Sequence, residues 1–367
     1  MMESIYWVLT FACHRRCVHC YDDRFRPYLR GDFARVVEQG RAAYAKIIDN
    51  LPDDFAFRDK QGVRKRGQLI LAGGELLLDG VREELLYPAL EAISARYGAR
   101  APRLGVQTTG DVLTLDHVRE MIARGVRTIS IASVDDFHAG MEGDRKFRLM
   151  EKVRRIMREA GVEEVTLGGK FDKRLNLPAT KERADPDAPC FLFFGAQPDL
   201  WIGELWPRGR AFANGLSKAT YADNFCARWS GGKNFLDHGE AGSEVAIEPD
   251  GSVYPCCLKT KAPLGNLTEE RLTDILDDLR GEPAMQAINA GDPEAMGITH
   301  GWTRGDFERR AEAADGAGVM RKNFCLGCDA FFEEKLGALL RARRAARLEA
   351  RPPAGPSQGK ERRTSAT

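Results

Sequence analysis

The chain has 367 residues, 43% of them hydrophobic and 30% charged, and a formal net charge of +1 at pH 7. That length suits about two domains, each able to bury its own core. A nearly balanced charge gives no overall bias toward nucleic acid or an anionic membrane, and neither partner is expected.

The opening segment MMESIYWVLTFACHRRC carries an acid at Glu3 and runs into a cysteine cluster, which is not the layout of a signal peptide. No stretch has the 18 or so uninterrupted apolar residues of a membrane span. A cytoplasmic protein is expected, and its nine cysteines then point to metal binding or catalysis before disulfides.

From Ser4 to Pro207, short β-branched or apolar runs alternate with segments of helical period, the pattern of βα units and a parallel sheet. Strands are expected at Ile5–Ala12, Gln68–Ala72, Arg103–Thr108, Thr128–Ala132, Glu164–Gly168 and Leu200–Leu205. Helices are expected at Phe33–Asn50, Arg82–Tyr97, Leu115–Arg124 and Lys146–Ala160, where apolar residues recur at three- and four-residue intervals. The crossover from Phe171 to Pro198 contains four prolines and reads as irregular. Pattern alone leaves a partial barrel and a doubly wound sheet both open, and in either case functional groups gather at the carboxyl ends of the strands. Cys13, Gly73-Gly74-Glu75, Thr108-Thr109-Gly110 and Ser133-Val134-Asp135-Asp136 all fall at such ends.

The expected division is residues 1–210, 211–338 and 339–367. The middle part has a weaker period and holds five of the nine cysteines, which suggests a small irregular α+β unit tied by metal. The last part begins as a basic helical extension and ends in a Pro-, Gly- and Ser-rich tail with the composition of disorder.

In Cys13-His14-Arg15-Arg16-Cys17-Val18-His19-Cys20, one loop can wrap three corners of an iron–sulfur cubane and leave the fourth iron open. A zinc site completed by His14 or His19 is the alternative. The loop follows a first strand and faces a Gly-Gly-Glu turn, which favours the cluster.

The CxxxCxxC loop, that turn and the βα order resemble the radical S-adenosylmethionine (SAM) superfamily. The resemblance implies an α/β fold with a partial (β/α)6 barrel. It also implies a [4Fe–4S] cluster on Cys13, Cys17 and Cys20 whose open iron binds SAM, and cleavage of SAM to a 5′-deoxyadenosyl radical that abstracts a substrate hydrogen atom. His19 would then lie beside the adenine, Gly73, Gly74 and Glu75 at the SAM amino group, and Thr109 in the turn matching the family's Thr-Asn-Gly. Ser130 and Ser133 would reach the ribose or carboxylate. Leu76 stands where the family usually has proline. Pro207-Arg208-Gly209-Arg210-Ala211 resembles the Pro-x-Gly-Arg-Ala segment of relatives with auxiliary clusters, and places Arg210 near the active site.

Gly251-Ser252-Val253-Tyr254-Pro255-Cys256 resembles the Gly-x4-Cys hairpin of the same relatives, with Cys226 before it and Cys325-Leu326-Gly327-Cys328 after it. By residue type alone Cys226, Cys256, Cys325 and Cys328 suit structural zinc or a fully ligated cluster. The resemblance is to the shortened SPASM domain, called Twitch, with one auxiliary [4Fe–4S] cluster. Cys257 is a possible substitute for Cys256, and Cys190 reads as a core residue.

Asp135, Asp136 and His138 are candidate catalytic groups, as a general base or as ligands of a polar substrate; capping the following loop is the alternative. The resulting expectation is an oxidoreductase or peptide-modifying enzyme of the radical SAM type, fed electrons by a donor such as flavodoxin or ferredoxin. Peptide maturation by cross-linking or oxidation comes first. Dehydrogenation of a small molecule comes second, since Cys13 leaves little chain ahead of it for leader binding. A zinc-binding interaction protein without enzymatic activity is the alternative of another class.

Overall fold

A computed structural model describes residues 2–165, 185, 187–195, 205–228, 234–237, 239–242 and 244–350. The expected strand Leu200–Leu205, except for Leu205, and the whole segment 166–184 lie outside the described residues, as does the tail from 351.

A mostly parallel nine-stranded sheet organises the chain. Its strands are β1 (Ser4–Thr10), β4 (Gln68–Gly73), β5 (Arg103–Thr108), β6 (Val126–Ile131), β7 (Glu163–Glu164), β8 (Cys190–Phe193), β9 (Glu244–Ile247), β10 (Ser252–Tyr254) and β11 (Gly265–Asn266). Two small hairpins stand apart, β2 (Ala56–Arg58) with β3 (Arg64–Arg66), and β12 (Glu312–Ala314) with β13 (Met320–Lys322). The sheet order is β11-β10-β9-β1-β4-β5-β6-β8-β7.

The first four strands agree with the sequence expectation to within one or two residues, because each is a short, largely apolar run followed by a crossover helix that buries its apolar side chains. Those helices are α1 (Arg30–Asn50), α2 (Tyr87–Tyr97), α3 (Leu115–Ala123) and α4 (Arg145–Glu159). A π-helical turn over Arg82–Leu86 leads into α2, where Pro88 sits in the first helical turn and has no N–H to give.

The fifth expected strand is only Glu163–Glu164 among the described residues, and β8 lies in the crossover read as irregular. β8 also inserts between β6 and β7 instead of following β7 in order. The physical reason is burial: all four residues of Cys190-Phe191-Leu192-Phe193 are buried, so this strand takes an interior place and the charged Glu163–Glu164 takes the edge.

The sheet does not stop where the barrel was expected to end. β9 pairs in parallel with β1, from Ser4 opposite Glu244 to Trp7 opposite Ile247, and β10 returns antiparallel beside β9. One apolar core accordingly runs from Ile5 to Leu340. Helices α5 (Gly209–Ala213), α6 (Phe225–Arg228), α7 (Leu272–Leu279), α8 (Pro283–Asn289), α9 (Arg304–Arg310), α10 (Phe324–Phe331) and α11 (Gly337–Glu349) complete the described chain. The basic extension is a docked helix: Arg343, Arg344 and Arg347 of α11 pair with Asp278, Glu282, Glu269 and Glu270. Its positive charge is therefore largely answered within the chain.

Candidate active site and auxiliary metal centre

β1 delivers the cysteine loop to the carboxyl end of the sheet. Beyond it, Gly74 N–H donates to Thr10 O at 3.0 Å and Glu75 N–H to Ala12 O at 2.9 Å, so the Gly-Gly-Glu turn lies directly on the strand end. Gly74 has to be glycine here, since a Cβ would stand 2.1 Å from Ala12 O and 2.8 Å from Cys13 Cβ.

Cys13, Cys17 and Cys20 line one cavity together with Gly73, Gly74, Thr109, His19 and His138. Burial pushes the Cys13 thiol up to about 12 and the Cys20 thiol to about 11. Cys17 is raised too, again by burial, although Ala139 N–H donates to its sulfur. Thiols so reluctant to ionise alone suit a cationic iron group that stabilises thiolate.

The Glu75 carboxylate is fully buried and spends both oxygens inside the protein. Oε1 accepts from Leu77 N and the Thr108 hydroxyl, and Oε2 from Thr109 N and its hydroxyl. Its role in the structure is to hold the Thr108-Thr109 turn, which leaves the glycine backbone to face a ligand. Ser133 is likewise committed, donating to Thr109 O at 2.5 Å. Ser130 lies within β6 opposite Gln107 and is outside the cavity lining.

Arg210 lines the cavity and clamps the loop. It donates from Nε to Cys17 O at 2.7 Å, from Nη2 to Phe25 O at 2.8 Å and from its backbone N–H to Cys20 O at 2.8 Å. Gly209, at φ +47, permits that approach, because a Cβ there would meet the Cys20 and Tyr21 backbone at 2.4 to 2.6 Å.

The catalytic candidates separate. Asp135, fully buried, accepts the backbone N–H groups of Phe137 and His138 at 2.9 Å and pairs with His138 Nδ1 at 2.8 Å. His138 in turn meets the His19 ring edge-on at 4.5 Å. Asp136 points elsewhere, to Lys146 and the Gly143 N–H, so it reads as a loop cap. Burial, then the neighbouring His138, lowers His19 to about 4.

The sequence reading missed several groups. Arg15 and Asp111 pair at 2.6 Å and join the cysteine loop to the turn after β5. Tyr21, Trp206 and Cys257 line the cavity. Trp206 Nε1 is buried with no hydrogen-bond partner among the described residues, as expected where a polar ligand belongs. Apart from the Cys256-Cys257 doublet, no local sequence signal marks them.

The second cysteine set converges from three segments. Asn323 caps α10 by accepting from Cys325 N at 2.9 Å and ties the helix to Thr220 O at 2.7 Å, ahead of Cys226. Cys325 and Cys328 then share one helix face. Burial raises all four thiols, Cys256 to about 12. Cys226 lies within electrostatic reach of Cys256 and Cys325, and Cys328 within that of Cys226 and Cys256. Cys257 instead faces the first cavity.

Among the described residues, the one group of three or more potential ligand atoms within 4.8 Å of each other is His19, Asp135 and His138, and there Asp135 Oδ1 is already engaged by His138. Neither cysteine set is that tight. Tetrahedral zinc, with Zn–S of about 2.3 Å, would draw its sulfurs to about 3.8 Å of one another. A four-iron cubane takes thiolate donors, which both cysteine sets offer, three at the first site and four at the second.

A family model of the SPASM iron–sulfur cluster-binding domain matches residues 240–296, which include Cys256. Among solved structures the chain is similar to BtrN in complex with AdoMet and 2-DOIA, at 15% identity and a TM-score of 0.42, covering 79% of this chain and 88% of that one. It is also similar to Streptococcus suis SuiB bound to precursor peptide SuiA, at 12% identity and a TM-score of 0.37, covering 79% and 67% respectively. No curated protein matches the sequence. Among the described residues no helix is long and apolar enough to cross a membrane. Residues 240–296, which contain the Gly251–Cys256 hairpin, thus match an iron–sulfur cluster-binding SPASM domain.

Proposed function

We propose that this protein is a radical SAM oxidoreductase in which one cavity brings SAM chemistry to a substrate C–H bond and His138 removes a proton from the same substrate. The observation that carries this reading is the opening of the Asp135–His138 pair onto the cavity that Cys13, Cys17 and Cys20 line. When bound there, a [4Fe–4S] cluster and SAM supply a 5′-deoxyadenosyl radical able to take a hydrogen atom from an unactivated carbon.

The chain's own residues do the rest. Asp135, as a carboxylate, keeps the proton on Nδ1 of His138 and leaves Nε2 as the basic nitrogen. That arrangement suits proton removal from a hydroxyl, thiol or amine on the carbon being oxidised. Gly73 and Gly74 would offer backbone carbonyls to the SAM ammonium and His19 would flank the adenine, while Arg210 and Glu75 hold the loop and turn in place. Cys226, Cys256, Cys325 and Cys328, of which Cys256 lies within the SPASM match, hold one auxiliary cluster, with residues 1–210 forming the SAM part. A low-potential donor such as flavodoxin or ferredoxin would supply the electron.

A peptide residue is the first substrate class, modified by oxidation or cross-linking. A small alcohol or amine is the second, favoured by the recessed position of His138, whose side chain is 14% exposed.

Anaerobic reconstitution should load about eight irons per chain, as two cubanes. SAM with dithionite should then release 5′-deoxyadenosine and methionine, and the triple Cys13, Cys17, Cys20→Ala variant should release none. Zinc without iron, or cleavage by the triple variant, would overturn the reading. His138→Gln should keep SAM cleavage while losing most oxidised product.

A further inference from the structure

Arg208, the variable position of the Pro-Arg-Gly-Arg-Ala segment, has its guanidinium among the auxiliary cysteines. The side chain is 10% exposed. Nη1 donates to Asp329 Oδ2 at 2.7 Å and Nη2 to Cys325 O at 3.1 Å. Nε is buried and has no partner among the described residues. Cys325, Cys328 and Cys256 are all among the charges it feels. Two residues on, Arg210 holds Cys17 O, so this one segment spans from the auxiliary cysteines to the SAM loop.

Four thiolates around a cubane make an anionic group, and burying it calls for a nearby cation. A guanidinium keeps its charge at any working pH, and an N–H left without a partner near cysteines is available to donate to a cluster sulfur. Net charge and hydrogen bonds at the sulfurs are what set the potential of a cluster of given type. Asp329 opposes this effect, since its carboxylate offsets part of the guanidinium charge.

We propose that Arg208 sets the reduction potential of the auxiliary iron–sulfur cluster, stabilising its reduced state against the opposing charge of Asp329. The inference rests on the reading of Cys226, Cys256, Cys325 and Cys328 as cluster ligands. A raised potential is the direction required of a centre that takes an electron from a substrate during net oxidation.

The test uses the full chain with Cys13, Cys17 and Cys20 changed to Ala, so that only the auxiliary centre titrates, followed by EPR during a potentiometric titration. Arg208→Met should shift the midpoint to more negative values, Asp329→Asn should shift it to more positive ones, and Arg208→Lys should stay near the parent. Both shifts with iron content unchanged are the expected result. An unchanged midpoint in the Met and Asn variants, shifts of the same sign, or a Lys variant that falls as far as the Met variant would overturn the proposal. Should Arg208→Met fail to assemble, the opposite-sign shift of Asp329→Asn and the behaviour of Arg208→Lys decide it alone. If the parent triple variant holds zinc or no iron, the cluster reading itself fails, a result distinct from an intact cluster with an unmoved potential.

Discussion

Glu75 and Thr109 are joined twice, the carboxylate accepting the Thr109 N–H at 2.7 Å and its hydroxyl at 2.6 Å. This bond holds the turns after β4 and β5 together beneath the cysteine loop. Glu75→Ala would strand several buried donors, each worth about 1–3 kcal/mol when left unmet. The expected loss is at least about 3 kcal/mol, read by thermal or urea unfolding of the iron-free protein. Glu75→Gln should cost less and still weaken SAM binding.

Gly74→Ala should act on the cysteine loop directly. The new methyl group would lie 2.1 Å from a backbone oxygen of Ala12, which has no side chain to swing away. Overpacking of this kind costs about 1–3 kcal/mol. Iron at the first site should fall while the auxiliary site keeps its own, giving a reconstituted iron content near half the parent's.

Acid should loosen the turn after β5. Burial opposes ionisation of Asp111, but hydrogen bonds from His14, Thr109 and Arg15 hold its carboxyl well below the usual carboxylate range. A depressed folded-state pKa gives stability that is present above the unfolded value, about 3.9, and is lost as pH falls below it. Melting temperature of the iron-free protein should therefore drop on acidification past pH 4. Asp111→Asn should lower it at pH 7 and flatten that acid limb.

Lys259 fastens the hairpin of the SPASM domain to the cysteine loop, pairing with Asp22 at 2.6 Å and with Glu248. The three side chains are 10%, 12% and 4% exposed, so removing the cation leaves two buried carboxylates poorly matched. Arg24 supplies a second cation to the same acids and limits the damage. Lys259→Met is expected to cost about 3 kcal/mol, the low end for breaking a buried pair. Chemical denaturation should show it; a change below about 0.5 kcal/mol would contradict this account.

The adjacent cysteines should differ in kind. Cys256 packs in one buried cluster with Cys325, whereas Cys257, at the edge of that cluster, lines the cavity of Cys13, Cys17 and Cys20. Cys256→Ala should lose about four irons. Cys257→Ser should keep them, and equal losses would show that the two thiols exchange roles.

The sequence by itself determined the parts whose cause is local. Cys13, Cys17 and Cys20 are close in the chain, so one loop necessarily brings them together, and the strands around them announce themselves by apolar runs between helices of clear period. Gly74 and Gly209 were legible as motif members, although the backbone contacts that demand glycine were not. Cys325 and Cys328 were readable as a pair because three residues make one helix face.

Only the tertiary structure decided the rest. The place of Cys190–Phe193 inside the sheet follows from burial on both faces, which four prolines in the surrounding segment had masked. The pairing of β9 with β1 unites residues some 240 positions apart, and no local periodicity encodes such a partner. Glu75 became a positioning group through donors on another strand, Asp136 parted from Asp135 because Lys146 and Gly143 claim it, and Arg208 met the auxiliary cysteines across 117 residues at Cys325. Charge and hydrogen-bond partners act through space, so which residues ligate, which hold and which tune is settled only once the sheet has brought them within a few ångströms.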